Sequence, residues 1–274
     1  MVNTMKVGIC TNFLSEDKYS LHTEQLETLA EIFDFVEFPA FPIAALSDEA
    51  FAEFAEFLAQ KGIRCDCITN LFPTNLHLMA EPLDVPAITA YLDALLPRLK
   101  RMGCRKLVFG SGPARSVPEG MAHEAADCRM IRILQELVIP AAQLLGMEVL
   151  LEPLNPILCN YMHTIGEAAP ICEACADAVG IVADSFNLME NEKTQEQILR
   201  HSHRIRHVHI SEAKRICPKE PLSLELTRFI SALNVAGYTG SVSLECKMSG
   251  IDMYRNTKEL VFSRFDHSPV RKVL

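Results

Sequence analysis

Val149-Leu150-Leu151-Glu152-Pro153-Leu154-Asn155 is a short apolar run that ends on a carboxylate and then a proline. A run that is apolar on both faces reads as a buried strand of a parallel sheet. Pro153 has no N–H to give to a ladder, so the strand stops there and Glu152 stands at its end. A charge at that boundary is either a solvated cap or a working group at the rim of a core. The rest of the chain decides which.

The same unit repeats on either side. Residues 6–10, 35–39, 63–69 and 106–110 read as strands before this stretch, and 180–184, 205–210 and 241–245 as strands after it. Helical spacing of apolar residues covers 20–33, 47–58, 85–102, 122–145, 165–177, 195–202, 222–236 and 252–265. Pro140 inside the fourth of these is expected to kink or restart the helix. Eight strands, each followed by a helix, imply a parallel sheet closed into a (β/α)8 TIM barrel of the α/β class, one domain over 1–274. An open doubly wound sheet competes, but no G-x-G-x-x-G opens the first helix. Gly110-Ser111-Gly112 reads as a tight turn between strand and helix.

Size and composition agree with one globular domain. The 274 residues are 49% hydrophobic and 22% charged, and no linker-like or low-complexity stretch divides them. There is no apolar run of about 18 residues, so no membrane span is expected. The segment Met1–Lys6 lacks the apolar core of a signal peptide. Ten cysteines without export signals read as reduced, buried small hydrophobes of a cytoplasmic protein. Cys172 and Cys175 have C-x-x-C spacing, but they fall inside a helix and no second pair answers them. A net charge of −9 argues against a nucleic-acid partner, which needs a basic groove. It leaves open a small polyhydroxylated substrate or a metal held by carboxylates.

In a barrel the working groups stand at the C-terminal ends of the strands. The last four strands carry Glu152, Asp184, His209 and Glu245 there, spaced 32, 25 and 36 residues apart, about one βα unit each. Alternation aims Asp184 to the face of Val182, His209 to that of His207, and Glu245 to that of Ser243. Any one of the four, alone, reads as a structural ion pair or a satisfied core histidine. Together, three crowded carboxylates need a cation, and an oxygen-rich set with one imidazole suits Mn²⁺ or Mg²⁺, with Co²⁺ or Zn²⁺ as alternatives. His207 lies one step deeper, where it is expected to hydrogen-bond inside the barrel or support the ligands.

At this point the chain resembles the xylose-isomerase-like TIM barrels, in the branch of sugar or sugar-phosphate isomerases and epimerases. The resemblance runs through Val36-Glu37-Phe38-Pro39, Phe109-Gly110-Ser111-Gly112 with Arg115 and Pro118, and Leu151-Glu152-Pro153-Leu154-Asn155 with Asn160. It continues through Ala183-Asp184-Ser185-Phe186-Asn187, His207-Val208-His209-Ile210, Gly237-Tyr238-Thr239-Gly240 and Ser243-Leu244-Glu245. It implies that Glu152, Asp184, His209 and Glu245 hold one divalent metal ion and that Glu152 and Glu245 form the acid/base pair. Arg215 matches a substrate-binding arginine; Asn155, Asn187 and His207 complete the set expected to contact a sugar or polyol. It also implies a homo-oligomer. Two positions depart from the ketose 3-epimerases: Leu158 stands where they carry a glutamate, and Asn187 where they carry a histidine. These changes point away from a free ketohexose.

The expectation is therefore a metal-dependent sugar isomerase or epimerase that moves a proton next to a carbonyl through an enediolate. An inosose-type dehydratase on the same site is the alternative. An AP-endonuclease-like DNA repair enzyme would need more histidines and a basic face, and a non-catalytic barrel would have lost a ligand.

Overall fold

Eight parallel strands close into a barrel whose outward side chains are apolar and whose inward side chains form an apolar layer and a polar one. The computed structural model describes residues 5–17 and 20–265. The expectations for Met1–Thr4, and the two ends of the 1–274 domain, lie outside the described residues. The strands are β1 (Val7–Cys10), β2 (Phe35–Pro39), β3 (Cys67–Thr69), β4 (Lys106–Phe109), β5 (Glu148–Leu151), β6 (Val179–Asp184), β7 (Ile205–Ile210) and β8 (Ser241–Leu244). They pair in chain order, and β8 closes the ring on β1.

The two-residue period of each strand sorts its side chains. Val7, Ile9, Val36, Ile68, Leu107, Leu151, Ile181 and Val208 join the large core beneath the helices. Phe35, Cys67, Val108, Leu150 and Val182 form a separate apolar cluster inside the ring. Two residues further along the same strands come Glu37, Thr69, Gly110, Glu152 and Asp184. The barrel thus has an apolar floor under a polar upper layer. Gly8 makes room in that floor, since a Cβ there would lie 2.3 Å from the Phe35 ring.

The helices are α1 (Leu26–Ile32), α2 (Ala40–Ala45), α3 (Asp48–Gln60), α4 (Val85–Arg101), α5 (His123–Ile133), α6 (Ile139–Leu144), α7 (Ile165–Ala174), α8 (Ser185–Leu188), α9 (Thr194–Arg200), α10 (Leu224–Val235) and α11 (Ile251–Phe262). Ser47, Asp84 and Ser223 cap α3, α4 and α10 by accepting from Ala50, Ala87 and Leu226 N–H. Thr164 and Glu167 cap α7 reciprocally.

The departures from expectation have local causes. The first helix starts at Leu26, because His22 takes a left-handed φ of 50° that no helix admits. The helix expected at 122–145 is α5 and α6 joined by a π-helical turn, Leu134–Val138, directly before Pro140. A proline cannot donate to the preceding turn, and the wider turn absorbs that break. Left-handed Ala176 and Asp177 end α7 early. The third strand is Cys67–Thr69 rather than 63–69. Helices α2 and α8, six and four residues long, are too short for periodicity to reveal. All ten cysteines are free, and only Cys128 is exposed. Among the described residues, no helix is long and apolar enough to cross a membrane.

Candidate metal centre

Asp184 is the last residue of β6, His209 lies in β7, and Glu152 and Glu245 stand one residue beyond the ladders of β5 and β8. Register sets Asp184 beside His209, and His209 beside Ser243. One ligand atom from each of Glu152, Asp184, His209 and Glu245 falls within 4.8 Å of all the others, and all four residues are buried.

His209 Nδ1 lies 3.1 Å from Glu245 Oε2 and 3.4 Å from Glu152 Oε1. Glu245 Oε2 also lies 2.8 Å from Arg215 Nη1. A cation at about 2.0–2.3 Å from each ligand keeps neighbouring ligands about 3 Å apart and opposite ones a little over 4 Å. The residues therefore fit a divalent ion, in spacing and in donor chemistry.

The other nitrogen of His209 faces a fully buried carboxylate. Nε2 is 3.3 Å from Glu37 Oε2, and Glu37 Oε1 is 2.7 Å from His207 Nε2. Ser243 Oγ also donates to Glu37 Oε1, and His207 Nδ1 meets Ser241 Oγ at 2.8 Å. This is the carboxylate–imidazole arrangement that fixes the tautomer of a metal-ligating histidine. Burial tends to raise the Glu37 pKa, but His207 and His209 outweigh it and hold the carboxyl well below its ordinary range. Burial lowers the His207 pKa, with Glu37 opposing. At His209 burial is outweighed by Cys10, Glu245 and Glu37, and the pKa lies well above the usual value.

Asp184 accepts from Phe186 N–H at 2.9 Å through Oδ1; Oδ2 accepts from Asn187 Nδ2 at 2.7 Å and Arg215 Nη2 at 2.6 Å. Burial raises its pKa to about 7, with Arg215 opposing and the charges of Glu245 and Glu152 adding. Burial pushes Glu245 up too, but Arg215 and His209 outweigh it and its pKa is lowered. The Arg215 guanidinium lies 4.5 Å from the centre of the Phe186 ring and 5.5 Å from that of Phe13.

The remaining candidates take more specific places. Asn187 donates to Asp184 and, at 3.4 Å, to Glu152 Oε1, while its carbonyl accepts from Asn155 N–H at 3.0 Å. It links the two carboxylates. Asn155 Oδ1 accepts from Ile157 N–H at 3.0 Å. His207 is fully buried and both its ring nitrogens are engaged, Nε2 with Glu37 and Nδ1 with Ser241. Leu158 is exposed.

Sequence reasoning gave Glu37 no part in this site, although a carboxylate in the apolar run Phe35–Pro39, on the face of Phe35, was a readable signal. It also passed over Asn12. Its Nδ2 donates to Glu245 Oε1 at 3.3 Å, while Thr69 Oγ1 donates to its carbonyl at 3.2 Å. A polar residue directly after β1 was the available sign.

The profile of the xylose isomerase-like TIM barrel family matches residues 26–262, and the chain belongs to that family. Its structure is similar to a D-psicose 3-epimerase studied in the presence of D-fructose, at a TM-score of 0.80 and 19% identity, covering 95% of this chain and 98% of that one. A 3-keto-D-glucoside 4-epimerase from E. coli superposes at a TM-score of 0.75 and 18% identity, covering 95% and 100%. An AP endonuclease, family 2, from Brucella melitensis follows at 0.72 and 19%, covering 90% and 95%. At such identities the likeness concerns the fold, and the chemistry has to be argued from the site. No curated protein sequence matches the chain.

Proposed function

We propose that this protein is a divalent-metal-dependent sugar isomerase or epimerase that transfers a proton next to a carbonyl. The observation that carries the reading is the convergence of Glu152, Asp184, His209 and Glu245, one ligand atom of each lying within 4.8 Å of the others. Sugar epimerases with the same fold support it. The donor set favours Mn²⁺ or Mg²⁺, with Co²⁺ or Zn²⁺ as alternatives. Such an ion supplies a Lewis acid that polarises a carbonyl and its neighbouring hydroxyl and offsets the charge of an enediolate.

The protein's own groups do the rest. Glu152 and Glu245 approach from different strands, so one removes the proton and the other returns it. Glu37 holds His209 in one tautomer, and Asn187 keeps Glu152 and Asp184 at a fixed separation. Arg215 supplies a positive charge between two aromatic rings for a substrate oxygen. Leu158 and the engaged amide of Asn187 leave fewer polar contacts for a free ketohexose. The net charge of −9 disfavours a nucleic acid.

Metal analysis of the purified protein is expected to find about one divalent ion per chain. A panel of ketoses, sugar phosphates and inososes, run in ²H₂O with Mn²⁺, is expected to show solvent deuterium entering a substrate carbon. Failure to take up Mn²⁺, with a Glu152→Gln variant indistinguishable from the parent, would falsify the reading.

A further inference from the structure

We infer that the turn following β4, Gly110 through Arg115, is a seat that positions Glu152, with Arg115 holding its main chain and Gly110 admitting its carboxylate. This rests on the reading of Glu152 as a ligand and proton-transfer group.

Arg115 is fully buried, and its Nη2 donates to the main-chain oxygen of Glu152 at 2.7 Å. Its Nε and Nη1 have no hydrogen-bond partner, and among the described residues no carboxylate oxygen lies within salt-bridge distance. A guanidinium in that state is costly to bury and calls for a reason beyond packing. The place it bonds supplies one. Pro153 ends the β5 ladder directly after Glu152, so the Glu152 carbonyl stands where regular pairing stops. Arg115 fixes that point. Its charge also lies close enough to feel Glu152, which opposes the burial that lowers the arginine pKa, as do Cys159 and Tyr161.

Gly110 gives a second, independent observation. A Cβ at this position would lie 2.2 Å from Glu152 Oε2. The carboxylate therefore occupies the space that any side chain at 110 would take. The turn itself is held firmly: Ser111 adopts a left-handed φ of 43°, its hydroxyl accepts from Phe72 N–H at 2.9 Å, and its carbonyl takes the N–H groups of Ala114 and Arg115. Gly112 in turn packs against the Leu158 carbonyl, 2.6 Å from where a Cβ would be. The loops after β3, β4 and β5 thus interlock around one carboxylate.

The test is Mn²⁺ binding by calorimetry on the full chain, with circular dichroism and the thermal midpoint recorded for each variant. Arg115→Met is expected to keep its fold and weaken Mn²⁺ binding about tenfold or more, as loss of an outer partner of a metal ligand does. Arg115→Lys is expected to restore most of that affinity, because a cation again reaches the carbonyl. Gly110→Ala is expected to weaken binding by at least as much, since it displaces the carboxylate itself. In turnover, kcat is expected to fall more than KM rises. An Arg115→Met protein that binds Mn²⁺ as tightly as a metal-binding parent, with only its thermal midpoint lowered, overturns the inference and leaves the site reading standing. If Arg115→Met does not fold, unchanged affinity in Gly110→Ala overturns it instead. A parent protein that takes up no Mn²⁺ overturns both.

Discussion

Arg215 Nη2 lies 2.6 Å from Asp184 Oδ2, and the same guanidinium reaches Glu245 Oε2 at 2.8 Å through Nη1. One side-chain cation thus spans two carboxylates of the candidate metal centre. Those oxygens cannot give their full charge to a guanidinium and to a divalent ion at once. Arg215→Gln is therefore expected to bind Mn²⁺ more tightly than the parent. With a chelator present it should be less stable by about 3–5 kcal/mol, the usual cost of removing one partner of a buried ion pair. Calorimetry and urea unfolding measure the two effects. Equal or weaker Mn²⁺ affinity would show that guanidinium and ion do not compete.

The pKa values at the centre set a pH dependence with a definite sign. Asp184, raised by burial and by Glu245 and Glu152 against the pull of Arg215, titrates at about 7, against 3.8 for an ordinary aspartate. Between those values the folded chain binds more protons than the unfolded one, so stability falls as pH rises. His209, raised well above 6.5, acts in the same direction at higher pH. Chelator-treated protein is expected to lose thermal stability from about pH 4 to 7, and Mn²⁺-saturated protein to lose less. Mn²⁺ affinity should rise about tenfold per pH unit below about 7 for each proton displaced. An affinity flat across that window would contradict the assignment of Asp184 as a ligand.

The apolar floor under the site should carry stability rather than chemistry. Leu150 is fully buried with Phe35, Cys67, Val108 and Val182 inside the barrel. Leu150→Ala leaves a cavity in that cluster and is expected to cost about 2–5 kcal/mol in urea unfolding. Its Mn²⁺ affinity is expected to stay near that of the parent. A large loss of affinity would mean that the floor also sets the position of Glu152.

How much of this was legible depended on the kind of signal. The barrel could be read because each strand announces itself as an apolar run and each helix by its spacing. Glu152, Asp184, His209 and Glu245 could be picked out because each stands at or next to a strand end, one βα unit from the next. Glu37 belongs to the same inward face but lies inside its strand, so a search restricted to strand ends passed over it. The double role of Asn187 was not legible, because Glu152 and Asn155 meet it only after β5 and β6 pair. Pro140 marked a break, but whether the chain answers with a kink or a π-helical turn is decided by packing against neighbouring helices.

Glu37 offers the sharpest test of the layer behind the ligands. It faces three donors: His207 Nε2, His209 Nε2 and the hydroxyl of Ser243. A carboxylate accepts all three, whereas a glutamine has one accepting oxygen and must turn an NH₂ toward at least one of them. In Glu37→Gln either His207 or His209 is therefore left facing a donor. His209 also loses the anion that fixes which of its nitrogens carries the proton. Mn²⁺ affinity is expected to fall about 10–100-fold, the usual cost of removing an outer partner of a ligating histidine. His207→Ala removes one donor and leaves the carboxylate free to serve His209, so its Mn²⁺ affinity is expected to fall less than that of Glu37→Gln. Titration of both variants with Mn²⁺ measures the difference, and the reverse order would mean that His207 acts on the metal centre by a route other than Glu37.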